Sequence, residues 1–231
     1  MTDTPCALIV AHGQPSDPEP AAAEIAALAA RVGRELSGWR VASATLAEPQ
    51  ALSDRIAEMG PSGLVYPLFM AGGWFTKVHL PKKLAEAGGS DWQVLEPFGT
   101  DPAVQALAER IVAEALGGDG GALLLAAHGS FRSPAPSEVA NAVAQRIGLA
   151  LGLSRSEAAY IDQEPKLSAA HGFGPEAVCL PFFAAKGGHV VDDLPAALGE
   201  AGFAGRILEP LGLDPRVPAL IAASLRQAAW G

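Results

Sequence analysis

Two apolar runs in this chain end in the same two residues. LIVAHG closes on His12 and Gly13, and LLLAAHG closes on His128 and Gly129. An imidazole at the end of an apolar strand can bind a first-row divalent metal or accept a proton near neutral pH. Two acids recur in the same way, Glu48 and Glu164, each followed by proline. Paired glycines then follow a third apolar run in both places, as GGWFTKVHLP from Gly72 and GGHVVDDLP from Gly187. The second stretch carries His189. With the Leu-Pro pairs aligned, Phe75 stands opposite His189 and His79 opposite Asp193. The second half therefore gathers His128, Glu164 and His189, a donor set of two imidazoles and a carboxylate that suits a divalent metal. The first half offers His12, Glu48 and an unmatched His79.

Other roles are open for some of these residues. Glu48 and Glu164 could be acids stabilised at helix starts by the helix dipole. His171, in AAHGFG, follows no apolar strand and reads as a loop residue. The glycine pairs could cradle a phosphate, but neither loop matches GxGxxG or the P-loop pattern. Close approach of backbone to a flat ligand fits them as well. Trp74 and Phe75, set between glycine and polar residues, could form a wall that packs on a ring.

The elements that position these residues form a duplication. AEPQAL (Ala47 to Leu52) recurs as QEPKL, YPLFMAGG (Tyr66 to Gly73) as LPFFAAKGG, and LEPFGTDPAV (Leu95 to Val104) as LEPLGLDPRV. The matches keep their order and a nearly constant separation. They divide the chain into lobes 1–117 and 118–231, joined at the glycine-rich GGDGG. Each half reads as strand, helix, strand, short helix, strand, glycine loop, helix, strand and helix. The strands are expected at Ala7 to Ala11, Trp39 to Leu46, Gly63 to Phe69 and Gln93 to Leu95. In the second half they fall at Ala122 to Ala127, Ala158 to Asp162, Ala177 to Phe183 and Arg206 to Leu208. This alternation predicts an α/β fold of two homologous lobes, each with a parallel four-stranded sheet covered on both faces, and a cleft between the lobes. In such sheets ligands bind beyond the carboxyl ends of the strands, where the histidines, acids and glycine loops all fall.

Composition narrows the functional classes. The 231 residues are 49% hydrophobic and 18% charged, enough to build a substantial core. A net charge of −9 with no block of lysine and arginine argues against nucleic acid as a partner. Cys6 and Cys179 form no CxxC pair and read as buried, reduced thiols. The N-terminal stretch lacks the basic and long apolar regions of a secretory signal, and no apolar stretch reaches the ~20 residues a membrane helix needs. A cytoplasmic protein with no membrane partner is expected. A histidine-nucleophile phosphatase would need arginine directly before the first histidine, where Ala11 and Ala127 stand. A small-molecule sensor lacks a DNA-binding segment.

The strand-His-Gly start, the strand-Glu-Pro and the PLF/PFF…GGHVxxDLP element resemble the class II tetrapyrrole chelatases, and among them the sirohydrochlorin chelatases of sirohaem and cobalamin synthesis. The resemblance spans both halves. It implies two flavodoxin-like lobes and a metal chelatase that inserts a divalent metal into sirohydrochlorin. It carries His128 and His189 over as metal ligands and proton acceptors, with Glu164 as the acidic helper. Phe75 departs from the pattern, because a first-half histidine is expected there; this points to the second half as the catalytic one. His12, Glu48, Trp74, Phe75, Lys77, Arg132 and Lys186 become candidate substrate contacts, with Lys82, Lys83 and Lys166 nearby to steer a polycarboxylate. No permanently bound cofactor is implied; Fe²⁺ or Co²⁺ is the substrate metal. The chain ends RQAAWG, without the His-rich tract or Cys-rich cluster of some long cobalt chelatases, which favours Fe²⁺ and sirohaem. The implied partners are the tetrapyrrole and the metal, with the chain acting as a monomer. A non-catalytic tetrapyrrole or metal carrier is the alternative.

Overall fold

In each half the first strand is six consecutive buried residues, CALIVA in β1 (Cys6–Ala11) and ALLLAA in β5 (Ala122–Ala127). A strand apolar at every position must be covered on both faces, which fits the centre of a parallel sheet. The computed structural model describes residues 4–48, 50–118, 120–187 and 192–230, and in it both strands are central. β1 lies between β2 (Arg40–Thr45) and β3 (Ser62–Pro67), and β4 (Asp91–Val94) completes a parallel sheet of order β2-β1-β3-β4. β5 lies between β6 (Arg155–Tyr160) and β7 (Ala177–Pro181), and β8 (Arg206–Ile207) completes the order β6-β5-β7-β8. The two sheets share one topology, as the duplication requires, and the order is that of the flavodoxin-like sheet without its last strand.

The helices are α1 (Pro18–Glu35), α2 (Ala51–Met59), α3 (Leu80–Glu86), α4 (Pro102–Leu116), α5 (Ala135–Ala150), α6 (Leu194–Glu200) and α7 (Val217–Trp230). Proline stands in the first turn of α1, α3, α4, α5 and α6. There its missing N–H breaks no helical bond and its fixed φ suits the helix. Asp101 caps α4, its carboxylate accepting from Ala103 N at 2.9 Å.

Each sheet is covered on both faces. Cys6, Leu8 and Val10 of β1 join Leu52, Ile56 and Met59 of α2 and Leu80 and Leu84 of α3 in one core layer. The alternate residues Ala7 and Ile9 point to the opposite face, where α1 supplies Ile25, Leu28 and Val32. In the second sheet Leu124 and Ala126 pack with Cys179 of β7 and Leu194 and Leu198 of α6.

The repeats and the compact units divide the chain differently. Elements up to Phe98 form one unit together with α7, and Gly99 to Asp214, including α4, forms the other. The helix closing each repeat packs on elements of the other repeat, α7 against β3 and α1 within one unit and α4 against β7 and α5 within the other. The expected lobes 1–117 and 118–231 describe the duplication, while packing exchanges the closing helices.

Three local expectations differ from the structure. β6 starts at Arg155 rather than Ala158, because Arg155 and Glu157 pair across its partly exposed edge at 2.6 Å. The short helix near Ser168 is a single 3₁₀ turn, Leu167–Ala169. The loop after Gly73 winds into a π-helical turn, Phe75–His79, that runs into α3. Among the described residues no helix is long and apolar enough to cross a membrane.

Cys179 is fully buried in β7, and burial pushes its thiol up to about 12. Because the thiolate is the reactive form, native protein at pH 8 is expected to leave Cys179 unmodified by iodoacetamide until denaturant is added. Mass mapping of the alkylated chain checks this; modification of native Cys179 at the rate of a free thiol would contradict the packing.

Candidate active site

The two His-Gly pairs mark the same backbone device. Gly13 has φ +74° and Gly129 φ +76°, the left-handed region that side chains disfavour. Space is also short. A Cβ on Gly13 would sit 2.8 Å from Thr45 Cβ, and one on Gly129 would sit 2.6 Å from Gln163 Cγ. The chain therefore leaves the central strand by passing hard against the end of its neighbour. The histidine carbonyls join the two strand ends: His12 O accepts from Ala47 N at 2.8 Å, and His128 O from Asp162 N at 2.9 Å. Each imidazole is thereby fixed at the carboxyl end of a central strand.

In the second unit the carboxylate beside His128 is Asp162. His128 Nδ1 lies 3.4 Å from Asp162 Oδ2 and 3.2 Å from the carbonyl oxygen of Gly129. Both neighbours are acceptors, which places the ring proton on Nδ1 and the lone pair on Nε2. A carboxylate behind an imidazole in this way orients the ring. The sequence reading passed over Asp162 because the backbone position it shares with the first half is Ala47. Glu164 is exposed and precedes a cis proline; its carboxylate accepts from Lys166 N at 3.1 Å. Gln163, also missed, clamps the loop after His128 by accepting from Ser130 N at 2.8 Å. His189 lies outside the described residues. Among those described, no three His, Cys, Asp or Glu side chains form a group that could hold a metal ion.

The first unit gathers aromatic rings instead. His12 meets Phe75 edge-on at 4.7 Å between ring centroids, and His79 meets the same ring at 5.5 Å. Trp74 stacks on His79 at 4.8 Å, and Phe69 lies parallel to Phe75 at 6.4 Å. The π-helical turn makes this cluster possible, and it is held at its start by Gly73 N donating to Thr76 Oγ1 at 2.9 Å. His79, unmatched in the sequence, thus joins His12. Trp74 stays 59% exposed, as a ring-packing wall requires. Glu48 accepts from Thr45 Oγ1 at 2.9 Å.

The remaining candidates are surface cations. Lys77, Arg132 and Lys186 are exposed. Lys82 and Lys83 both pair with Glu86 on α3, at 3.8 and 2.9 Å. Lys166 donates to Ile161 O at 2.8 Å. His171 sits against Ala201 O at 3.0 Å, a structural contact. A Cβ on Gly73 or Gly187 would meet open space, so packing does not demand glycine at either position.

A family profile described as CbiX matches residues 6–115 and again 122–228, one copy on each repeat. The chain belongs to the CbiX family. A solved structure described as CbiX, the terminal enzyme for biosynthesis of siroheme in denitrifying bacteria, is 47% identical to it. That alignment covers 96% of this chain and 98% of the other, with a TM-score of 0.87. SirB from Bacillus subtilis, solved with Fe³⁺, shares the fold at 14% identity, with a TM-score of 0.76 and coverage of 98% and 96%. SirB from Bacillus subtilis subspecies spizizenii, a sirohydrochlorin chelatase in complex with cobalt, does so at 16% identity, with a TM-score of 0.71 and the same coverage, 98% and 96%. No curated protein sequence matches the chain.

Within this CbiX family chain the aromatic cluster acts on the charge of His12. His12 is held below the ordinary imidazole value, first because packing over its ring disfavours the charged form and second because His79 repels it. At neutral pH His12 therefore presents a neutral ring. An NMR titration is expected to place its midpoint below the ordinary value. His79→Ala should raise that midpoint only partway, since burial is the larger cause; a midpoint at or above the ordinary value would contradict the cluster.

Proposed function

We propose that this protein is a sirohydrochlorin chelatase that inserts a divalent metal into the metal-free tetrapyrrole, with Fe²⁺ as the favoured metal and sirohaem as the product. The observation that carries the reading is end-to-end identity of 47% with a CbiX described as the terminal enzyme of siroheme biosynthesis. Insertion replaces the pyrrole N–H protons by the metal, so the site must hold M²⁺ loosely and take up protons near neutral pH. His128 supplies the imidazole, with Asp162 behind it orienting the ring. His189 and Glu164 complete the proposed donor set, which leaves coordination positions open for the incoming ring, unlike a closed structural site. Arg132 and Lys186 would meet the substrate's carboxylates on this side.

In the first unit, Trp74, Phe75, Lys77, His12 and Glu48 are proposed to bind the tetrapyrrole. A second reading places metal handling there, because His12 and His79 converge on Phe75. His12 is neutral at neutral pH, the form of an imidazole that can ligate a metal. Co²⁺ insertion for cobalamin synthesis is the alternative within the enzyme class. A carrier that binds the tetrapyrrole or the metal without chemistry is the alternative outside it.

Purified protein mixed anaerobically with sirohydrochlorin should accelerate metal insertion over a protein-free blank. Absorbance should convert faster with Fe²⁺ than with Co²⁺. A spectral shift on binding, with insertion no faster than the blank for either metal, would establish the carrier instead.

A further inference from the structure

Phe131 is the most exposed aromatic ring among the described residues whose exposure is in question at either sheet edge, at 79%, against 59% for Trp74 and 37% for Phe75. It lies three residues beyond His128 on the loop that leaves β5. A ring that exposed gains little from burial, so the core does not require it. The loop that carries it is nonetheless built. Ser130 N donates to Gln163 Oε1 at 2.8 Å, and Arg132 N donates to Ser130 Oγ at 3.1 Å. Gly129 makes the tight turn that brings this loop over the end of β6. Lys166 Nζ stands 5.3 Å from the Phe131 ring centroid and is held there by its bond to Ile161 O at 2.8 Å. Lys166 thus stands over one face of the ring, and an aromatic ring with a cation on one side, its other face open and Arg132 next in the chain suits a flat, conjugated ring bearing carboxylates.

We infer that Phe131 is a substrate-binding residue of the second unit: its open face packs on the tetrapyrrole macrocycle, while Lys166 and Arg132 meet carboxylates at the ring's edge. This rests on the chelatase reading and on the sheet edge of His128 receiving the substrate. It gives the second unit a ring contact of the kind Trp74 and Phe75 offer in the first. It also assigns Gln163 a positioning role, because Gln163 holds the backbone on which Phe131 stands.

Binding of metal-free sirohydrochlorin tests this without any insertion step. The pigment's own absorbance and fluorescence are followed on titration with wild-type protein, Phe131→Ala and Phe131→Trp. The alanine variant is expected to weaken binding about tenfold and the tryptophan variant to restore it, as for loss and return of an aromatic face. In turnover the alanine variant should raise KM by about the same factor with kcat within about twofold, the signature of lost uniform binding. Its thermal midpoint should match wild type. Equal binding by wild type and Phe131→Ala would overturn this inference and leave the chelatase reading standing. Failure of the wild-type protein to bind sirohydrochlorin would overturn both. A fall in thermal midpoint with no rescue by tryptophan would make Phe131 structural and overturn the inference.

Discussion

The structure depends on how the chain leaves each central strand. A parallel strand buried on both faces must end at the sheet's carboxyl edge, where ligands of such folds collect. Here the exit is so close to the neighbouring strand that only glycine fits, with φ +74° at Gly13 and +76° at Gly129. The residue before it cannot turn back into the core, and its carbonyl is tied to the next strand's end. An imidazole at that position is held on a rigid element, which a metal-handling or proton-accepting group needs more than it needs any particular neighbour.

From this common device the halves have diverged. The first surrounds its histidine with rings. His12, Phe75, His79 and Trp74 form one cluster, and its packing keeps His12 neutral. The second sets a carboxylate behind its histidine and leaves a single phenyl ring on the adjoining loop. Duplication supplied two copies of one scaffold, and the differences lie in the side chains grafted onto matched strand ends. Such an arrangement lets one edge specialise in chemistry and the other in binding.

Much of this was legible in the sequence. The repeats gave both sheets, because a run such as ALLLAA has only one stable place in a parallel sheet. The His-Gly pairs gave the strand ends. What escaped depended on contacts distant in sequence or on residues the halves do not share. Asp162 was invisible to a comparison of repeats, since Ala47 holds its backbone position. Arg155 and Glu157 looked like loop because an edge strand carries its charges on the exposed side. The π-helical turn at Phe75–His79 follows paired glycines that signal a loop, and ring contacts with His12 and Phe69 accompany the helical form. The exchange of α4 and α7 between units leaves no mark on the pattern, because either sheet offers an equivalent apolar face.

The central claim is that the chemistry belongs to the sheet edge of His128. Single-turnover metal insertion by two paired variants addresses it most directly, with Fe²⁺ and saturating sirohydrochlorin. The account predicts that His128→Ala with His189→Ala slows insertion about a hundredfold or more, the scale of a lost acid–base group. The same account predicts that His12→Ala with His79→Ala keeps the insertion rate within about tenfold, since those rings serve binding, which saturation hides. The opposite pattern, with His12 and His79 essential and His128 and His189 dispensable, would contradict it and move the reaction to the aromatic cluster of the first unit.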